Sequence, residues 1–141
     1  ATWRAWTWNE RGHSACFAAV LDGRVVGFGL CGPARLEPVC DGTEAEAVPA
    51  PVGEVYAFYL HPDAWGSGCA SGLMTACEEW LRARGFTSAV LWVLRDNPRG
   101  RGFYEKAGWV ATGKDGTFDG PATTSSLPYS VAEVEYGRTL A

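Results

Sequence analysis

Alternation of strand-like runs with two helical segments predicts an α/β sandwich built on a mixed sheet. Three observations carry that prediction. Two apolar runs are joined through Asp22-Gly23, a strand leads into a glycine-rich turn and a helix across Glu54–Gly72, and an almost wholly apolar run, Phe86–Leu94, precedes a second helix. At 141 residues the chain, 1–141, is expected to form one domain with a single core.

Taken in order, Ala15–Leu21 and Val25–Cys31 read as a hairpin, because Asp-Gly supplies the two positive φ angles that a tight β-turn needs. Gly32–Gly53 holds Pro33, Pro38, Pro49 and Pro51 with Asp41-Gly42 and reads as a long exposed loop. Unstructured loops of that length are usually functional. Val52–His61 is the next strand. Ser71–Arg84 is a helix, with Leu73, Cys77, Trp80 and Leu81 on one face and Gly85 at its end. Phe86–Leu94 suits a central strand buried on both faces. Asn97 and Pro98 read as N-cap and first position of a helix that runs through Lys106 and stops at Gly108. Trp109–Thr112 and Val131–Thr139 are the last strands; in the second, Ala132, Val134 and Tyr136 alternate with Glu133 and Glu135.

Composition narrows the function. Hydrophobic residues at 47% and charged residues at 20% place the chain among ordinary globular proteins rather than disordered ones. A net charge of −4 disfavours nucleic acid as a partner. No apolar run approaches the roughly 20 residues that span a bilayer, so no membrane partner is expected. The five cysteines lack CxxC or metal-ligand spacing, which points to a reduced, cytoplasmic setting and no metal. Cys16, Cys31 and Cys77 lie in apolar stretches and read as small core residues.

The glycine turn carries the chemistry. Gly66, Gly68 and Gly72, with Ser67, Ala70 and Ser71 between them, keep a helix start small enough for a ligand to reach the backbone. Unpaired N–H groups and the positive end of the helix dipole then favour an anion, and a phosphate-bearing ligand fits. A dinucleotide fingerprint fails on context, since His61–Trp65 separates strand from glycines and the next strand ends without a ribose-binding acid. A P-loop needs Gly-Lys-Ser/Thr, and no lysine lies between Ala1 and Thr75.

The segment from His61 to Ala70, HPDAWGSGCA, resembles the acetyl-CoA pyrophosphate loop of the GCN5-related N-acetyltransferases (the GNAT family). Downstream, Asn97 to Trp109, NPRGRGFYEKAGW, resembles the family's Asn-x-x-Ala-x-x-Phe-Tyr-Glu-x-x-Gly-Phe/Trp segment. The likeness runs from about Val20 to the C-terminus and is weakest between Lys114 and Tyr129. It departs at Trp65, where Gln or Arg is typical, at Ser67 and Ser71, where basic residues are common, and at Gly100, where alanine is usual.

The resemblance implies a GNAT-like three-layer sandwich and transfer of acetyl from acetyl-CoA to a primary amine, by direct attack in a ternary complex. Gly66, Ser67, Gly68, Cys69, Ala70 and Ser71 would take the pyrophosphate, mainly through backbone N–H groups. The backbone of Phe58, Tyr59 and Leu60 would bond the pantetheine arm as an added strand, and Asn97 would contact the CoA arm or cap its helix. Tyr104 matches the tyrosine beside the CoA sulfur that acts as general acid; otherwise it is a core aromatic. Glu54 stands where relatives carry a catalytic glutamate; otherwise it is a strand-end acid. His61 is the alternative base, and Arg95, Arg99 and Arg101 are alternative phosphate contacts. Only fourteen residues precede Ala15, where the family has a strand and two helices, so that N-terminal part is expected to be incomplete, with Thr2–Glu10 at most the tail of a helix. The acceptor would be a small-molecule or peptide amine, and a homodimer is compatible with the family. A catalytically silent CoA-binding regulatory module is the competing reading.

Overall fold

Asp22 and Gly23 do adopt positive φ, 52° and 79°, and close a tight hairpin between β2 (Ala15–Leu21) and β3 (Arg24–Pro33). The computed structural model describes residues 3–8, 14–35, 52–119 and 130–140. Its contacts divide the chain into two units, Ala1–Ala89 with Thr139–Ala141, and Val90–Arg138.

In the first unit four antiparallel strands follow one another, β1 (Trp3–Trp8), β2, β3 and β4 (Val52–Leu60). β1 corrects the expectation of a helix tail over Thr2–Glu10. The segment WRAWTW pairs with β2 from Trp3↔Leu21 to Trp8↔Cys16. Tryptophan and threonine suit a pleated, paired surface, and the edge of β2 supplies a partner that local sequence does not reveal. β3 continues through Pro33 and β4 begins at Val52, trimming both ends of the expected loop; its residues 36–51 lie outside the described residues.

α1 (Cys69–Ala83) packs against β2 and β3. Cys69, Leu73, Cys77 and Leu81, four residues apart, are fully buried together with Met74, at 0–2% exposure. Trp80, expected on this face, is instead half-buried beneath the guanidinium of Arg84, which lies 4.7 Å from its ring centroid. Glycines on β3 let the helix approach. A Cβ at Gly29 would lie 2.9 Å from Cys77 Sγ, and one at Gly27 would meet the carbonyl of Tyr59. Of the expected core cysteines, Cys31 and Cys77 are fully buried and Cys16 is half-buried. The helix ends where Gly85 turns to φ 92° and Phe86 N–H bonds Leu81 O at 3.1 Å.

The second unit holds most of β5 (Ser88–Leu94), then α2 (Pro98–Lys106), β6 (Val110–Asp119) and β7 (Ser130–Thr139), with β7 between β5 and β6. β5 was expected to be buried on both faces. Ala89, Leu91 and Val93 are buried, while Val90 and Trp92 on the other face are half-buried. β6 runs past the expected Thr112 to Asp119, with an irregularity between Ala111 and Asp115 in its antiparallel pairing with β7. Asn97 caps α2 as predicted, its side chain accepting Gly100 N–H at 3.0 Å, and Gly108 at φ 97° follows the helix end.

Candidate cofactor and catalytic site

β4 delivers the chain into a turn whose own side chains shape it. His61 caps a short 3-10 turn, Pro62–Ala64, with Nδ1 accepting Asp63 N–H at 3.1 Å. That exposed, structural placement supplies no contact for the alternative base role. Trp65 folds back so that its indole N–H donates to Leu60 O at 3.0 Å. Ser67 Oγ donates to Ala64 O and stands 3.4 Å from Cys69 N–H. Gly66 and Gly68 sit at φ 80° and 88°, and a Cβ on either would meet nothing within 4 Å. Glycine is therefore demanded here by backbone conformation, and the space above the turn is open.

The first α1 hydrogen bond is Gly72 N–H to Gly68 O at 3.1 Å, so the N–H groups of Cys69, Ala70 and Ser71 precede it. No acidic residue lies in this first turn. Amides at the positive end of a 15-residue helix, next to an open turn, suit a phosphate. The Cys69 side chain is fully buried, leaving only its backbone for that task.

The strand before the turn is asymmetric. Gly27↔Leu60, Phe28↔Tyr59 and Gly29↔Phe58 face one another, and His61 N–H bonds Val26 O at 2.6 Å. By antiparallel alternation the backbone groups of Tyr59 are directed at β3, and those of Phe58 and Leu60 at the other edge. Of the expected three, Phe58 and Leu60 thus face away from β3, and Leu60 O already accepts the Trp65 indole. Farther back, Leu30 pairs with Ala57 but Cys31 with Val55, so Tyr56 is an extra, bulged residue.

Glu54 is 2% exposed. Its Oε1 accepts Arg35 N–H at 2.9 Å, and its Oε2 accepts Arg35 Nε at 3.2 Å and Nη2 at 2.8 Å. The Arg35 side chain is 65% exposed and lies 4.8 Å over the Tyr56 ring. Tyr56 donates its hydroxyl to Pro33 O, and its phenol is pushed up to about 12 by burial and by the nearby Glu54 charge. Glu54 is therefore a clamped carboxylate. Sequence reading missed the clamping partner, Arg35, since an isolated arginine at the head of a loop carries no local signal.

Asn97 and Tyr104 belong to α2 in the second unit. Tyr104 is 8% exposed, and burial pushes its phenol up to about 12. It packs edge-on to Phe103 at 5.5 Å and tilted against Tyr136 at 6.3 Å. Tyr136, fully buried on β7, donates its hydroxyl to Glu105 Oε1 at 2.8 Å and accepts Arg101 Nε at 3.1 Å. Arg101 also donates to Arg95 O at 3.1 Å, and the Arg95 side chain pairs with Asp115 at 3.3 Å. Arg95 and Arg101, expected as alternative phosphate contacts, thus have partners inside their own unit. A Cβ at Gly100 would lie 2.5 Å from Asn97 Nδ2, so the departure from alanine there accommodates the cap. Strand alternation placed Tyr136 on one face of β7 but gave no hint of its bonds.

Among the described residues no group of three or more His, Cys, Asp or Glu is placed to hold a metal, and no helix is long and apolar enough to cross a membrane.

The model of the acetyltransferase (GNAT) family matches residues 1–109. YuaI of Bacillus subtilis, an uncharacterized N-acetyltransferase, is 33% identical over 92 residues, covering 64% of this chain and 47% of that protein. The mycothiol acetyltransferase of Saccharomonospora viridis is 35% identical over 94 residues, covering 67% of this chain and 29% of that one. The chain thus spans about half or less of the length of these curated relatives. The crystal structure of the PaiA N-acetyltransferase of Thermoplasma acidophilum, in complex with coenzyme A, superposes with a TM-score of 0.64 at 18% identity, over 90% of this chain and 61% of that one. That likeness shows a common α/β fold, a mixed sheet carrying helices.

Proposed function

The chain belongs to the GNAT acetyltransferase family, and from that premise we propose that it moves an acetyl group from acetyl-CoA to a primary amine of a small molecule or peptide, by direct attack in a ternary complex. One observation carries the reading: β4 leads into a turn held open by two left-handed glycines, at the N-terminus of a helix with no acid in its first turn. In this reading the amides of the turn and of Cys69, Ala70 and Ser71 take the pyrophosphate, and the far edge of β4 at Phe58 and Leu60 meets the pantetheine arm.

Tyr104 is assigned to the CoA sulfur. With its phenol pushed up to about 12, it stays protonated throughout the neutral range. Passing that proton outright to the thiolate of a thiol near pKa 8.5 is uphill by roughly 5 kcal/mol, at about 1.36 kcal/mol per unit. The hydroxyl therefore acts by hydrogen-bonding the sulfur as charge builds, a contribution of about 1.5–3 kcal/mol, or roughly 10- to 100-fold in rate. Glu54 takes the amine proton directly or through water, or else fixes Arg35 on the acceptor side. The clamp on Glu54 is what favours the second reading, a silent CoA-binding module.

Thermal unfolding of the intact protein tests the cofactor assignment. Acetyl-CoA at a hundred times its Kd should stabilise the fold by about 2.7 kcal/mol. Gly68→Asp adds a carboxylate and a Cβ to the anion site at a position with φ 88° and should abolish the ligand-induced rise. An unchanged melting temperature at saturating acetyl-CoA refutes the proposal. Release of free CoA with a panel of primary amines separates the enzyme from the silent module.

A further inference from the structure

We propose that Tyr136 is a positioning residue: by clamping α2 onto β7 it aims the Tyr104 hydroxyl at the CoA sulfur. The inference rests on the assignment of Tyr104 as donor to that sulfur. Arg101 and Glu105 are four residues apart, so they share a face of α2, and the one buried hydroxyl between them accepts from the first and donates to the second. Its ring also packs 6.3 Å from that of Tyr104. One side chain, itself fully buried, thus touches α2 at three places within a little over one turn. Arg101 extends the hold to Arg95 O, just past the end of β5.

The bonds resist rotation of the helix about its own axis. A side-chain tip sits roughly 6 Å from a helix axis, so a 10° roll swings it by about 1 Å. A misplacement of about 1 Å can cost as much as 10²-fold in an oriented reaction. Tyr136→Phe keeps the ring and its packing but releases the roll. Arg101 and Glu105 are left able to pair with each other on the helix surface, so the fold survives the change.

The test needs no acceptor. A phenol that hydrogen-bonds the CoA sulfur favours the thiolate, so it lowers the thiol pKa of bound coenzyme A. The probe is coenzyme A itself, bound to excess intact protein and alkylated with iodoacetamide across pH. Alkylated CoA is counted by mass spectrometry, so the protein's own thiols do not interfere. Tyr104→Phe should raise the bound thiol pKa by about one to two units. Tyr136→Phe should raise it in the same direction, and the double variant should match Tyr104→Phe alone, because Tyr136 then has nothing to aim.

A wild-type pKa in Tyr136→Phe, alongside a raised one in Tyr104→Phe, overturns the positioning role and leaves the donor standing. An equal Tyr136→Phe shift with or without the Tyr104 hydroxyl also overturns it, since the effect then bypasses Tyr104. A wild-type pKa in Tyr104→Phe overturns the donor assignment, and the positioning role with it. Should Tyr136→Phe fail to fold, Glu105→Ala removes the acceptor of the same clamp from an exposed position. It must then shift the bound thiol in the same direction, and no shift overturns the proposal.

Discussion

Truncating Arg35 should destabilise the protein more than neutralising the acid it clamps. Arg35→Ala leaves a carboxylate that is 2% exposed without two of the three hydrogen bonds it accepts. The backbone N–H bond at 2.9 Å survives the truncation, and the two guanidinium bonds are lost. Breaking a buried pair from one side costs about 3–5 kcal/mol. Two corrections apply. The Arg35 side chain is 65% exposed, so water can follow where the guanidinium was, which lowers the figure to about 2–3 kcal/mol. The stack on Tyr56 at 4.8 Å adds back about 0.5 kcal/mol. Glu54→Gln keeps the volume and an acceptor oxygen, and it strands only a solvated arginine, so about 1–2 kcal/mol is expected. Urea unfolding of both single variants and of the double variant measures this, provided the slope m is unchanged. The double variant should recover about 1 kcal/mol relative to the sum of the singles. An Arg35→Ala cost no larger than that of Glu54→Gln refutes the picture of a carboxylate that depends on its clamp. The same Glu54→Gln protein reports on catalysis: a rate deficit that shrinks toward an amine pKa of about 10.4 marks a base, and a constant deficit marks a positioning acid.

Stability should also fall in alkali. The Tyr104 phenol is pushed up to about 12 in the fold against about 10 in an open chain, so the fold's preference for the neutral phenol is intact below pH ~10 and is lost as pH rises through ~12. Two units correspond to about 2.7 kcal/mol, and Tyr104→Phe should remove that share of the alkaline loss in urea midpoints; an unchanged alkaline slope counts against the buried phenol. Gly27→Ala should cost about 2–3 kcal/mol, because the new Cβ meets the backbone carbonyl of Tyr59 and approaches Leu60 Cδ1 at 2.9 Å, so β3 and β4 must part. A loss below about 0.5 kcal/mol would mean that the strand pair accommodates the methyl group.

Local chemistry made much of this molecule readable in advance. Asp22-Gly23, the Asn97-Pro98 cap and the glycines after β4 each fix a backbone conformation within a few residues, and each appears where sequence places it. Features that need a distant partner were not readable. Trp3–Trp8 becomes a strand because β2 offers an edge. Arg35 reaches Glu54 nineteen positions away, and Tyr136 reaches α2 across thirty-one or more. Tyr56 does not announce its bulge, since a one-residue slip appears only when two strands are laid side by side. Residue types at the glycine turn and at Tyr104 suggest roles through the family pattern, whereas the bonds that hold Glu54 and the rings packed against Tyr104 belong to this chain's own packing.

The bulge at Tyr56 acts as a phase shifter for β4. Gly53 and Val55 lie on the side of the strand that faces α1, since a Cβ at Gly53 would sit 2.8 Å from Leu81. Beyond the bulge that side is taken by Phe58 and Leu60, paired with Gly29 and Gly27. Odd-numbered positions give way to even-numbered ones, and Glu54 consequently shares the opposite side with Tyr59 rather than with Phe58. Were Tyr56 drawn into regular alternation instead of bulging, the first half of the strand would roll over, driving the carboxylate of Glu54 toward the leucine layer under α1 and lifting Val55 out of it. Deleting Tyr56, by contrast, would leave both halves on their present sides. The bulging of that one residue therefore decides which side of the sheet carries the strand's charge, without altering any residue's chemical type.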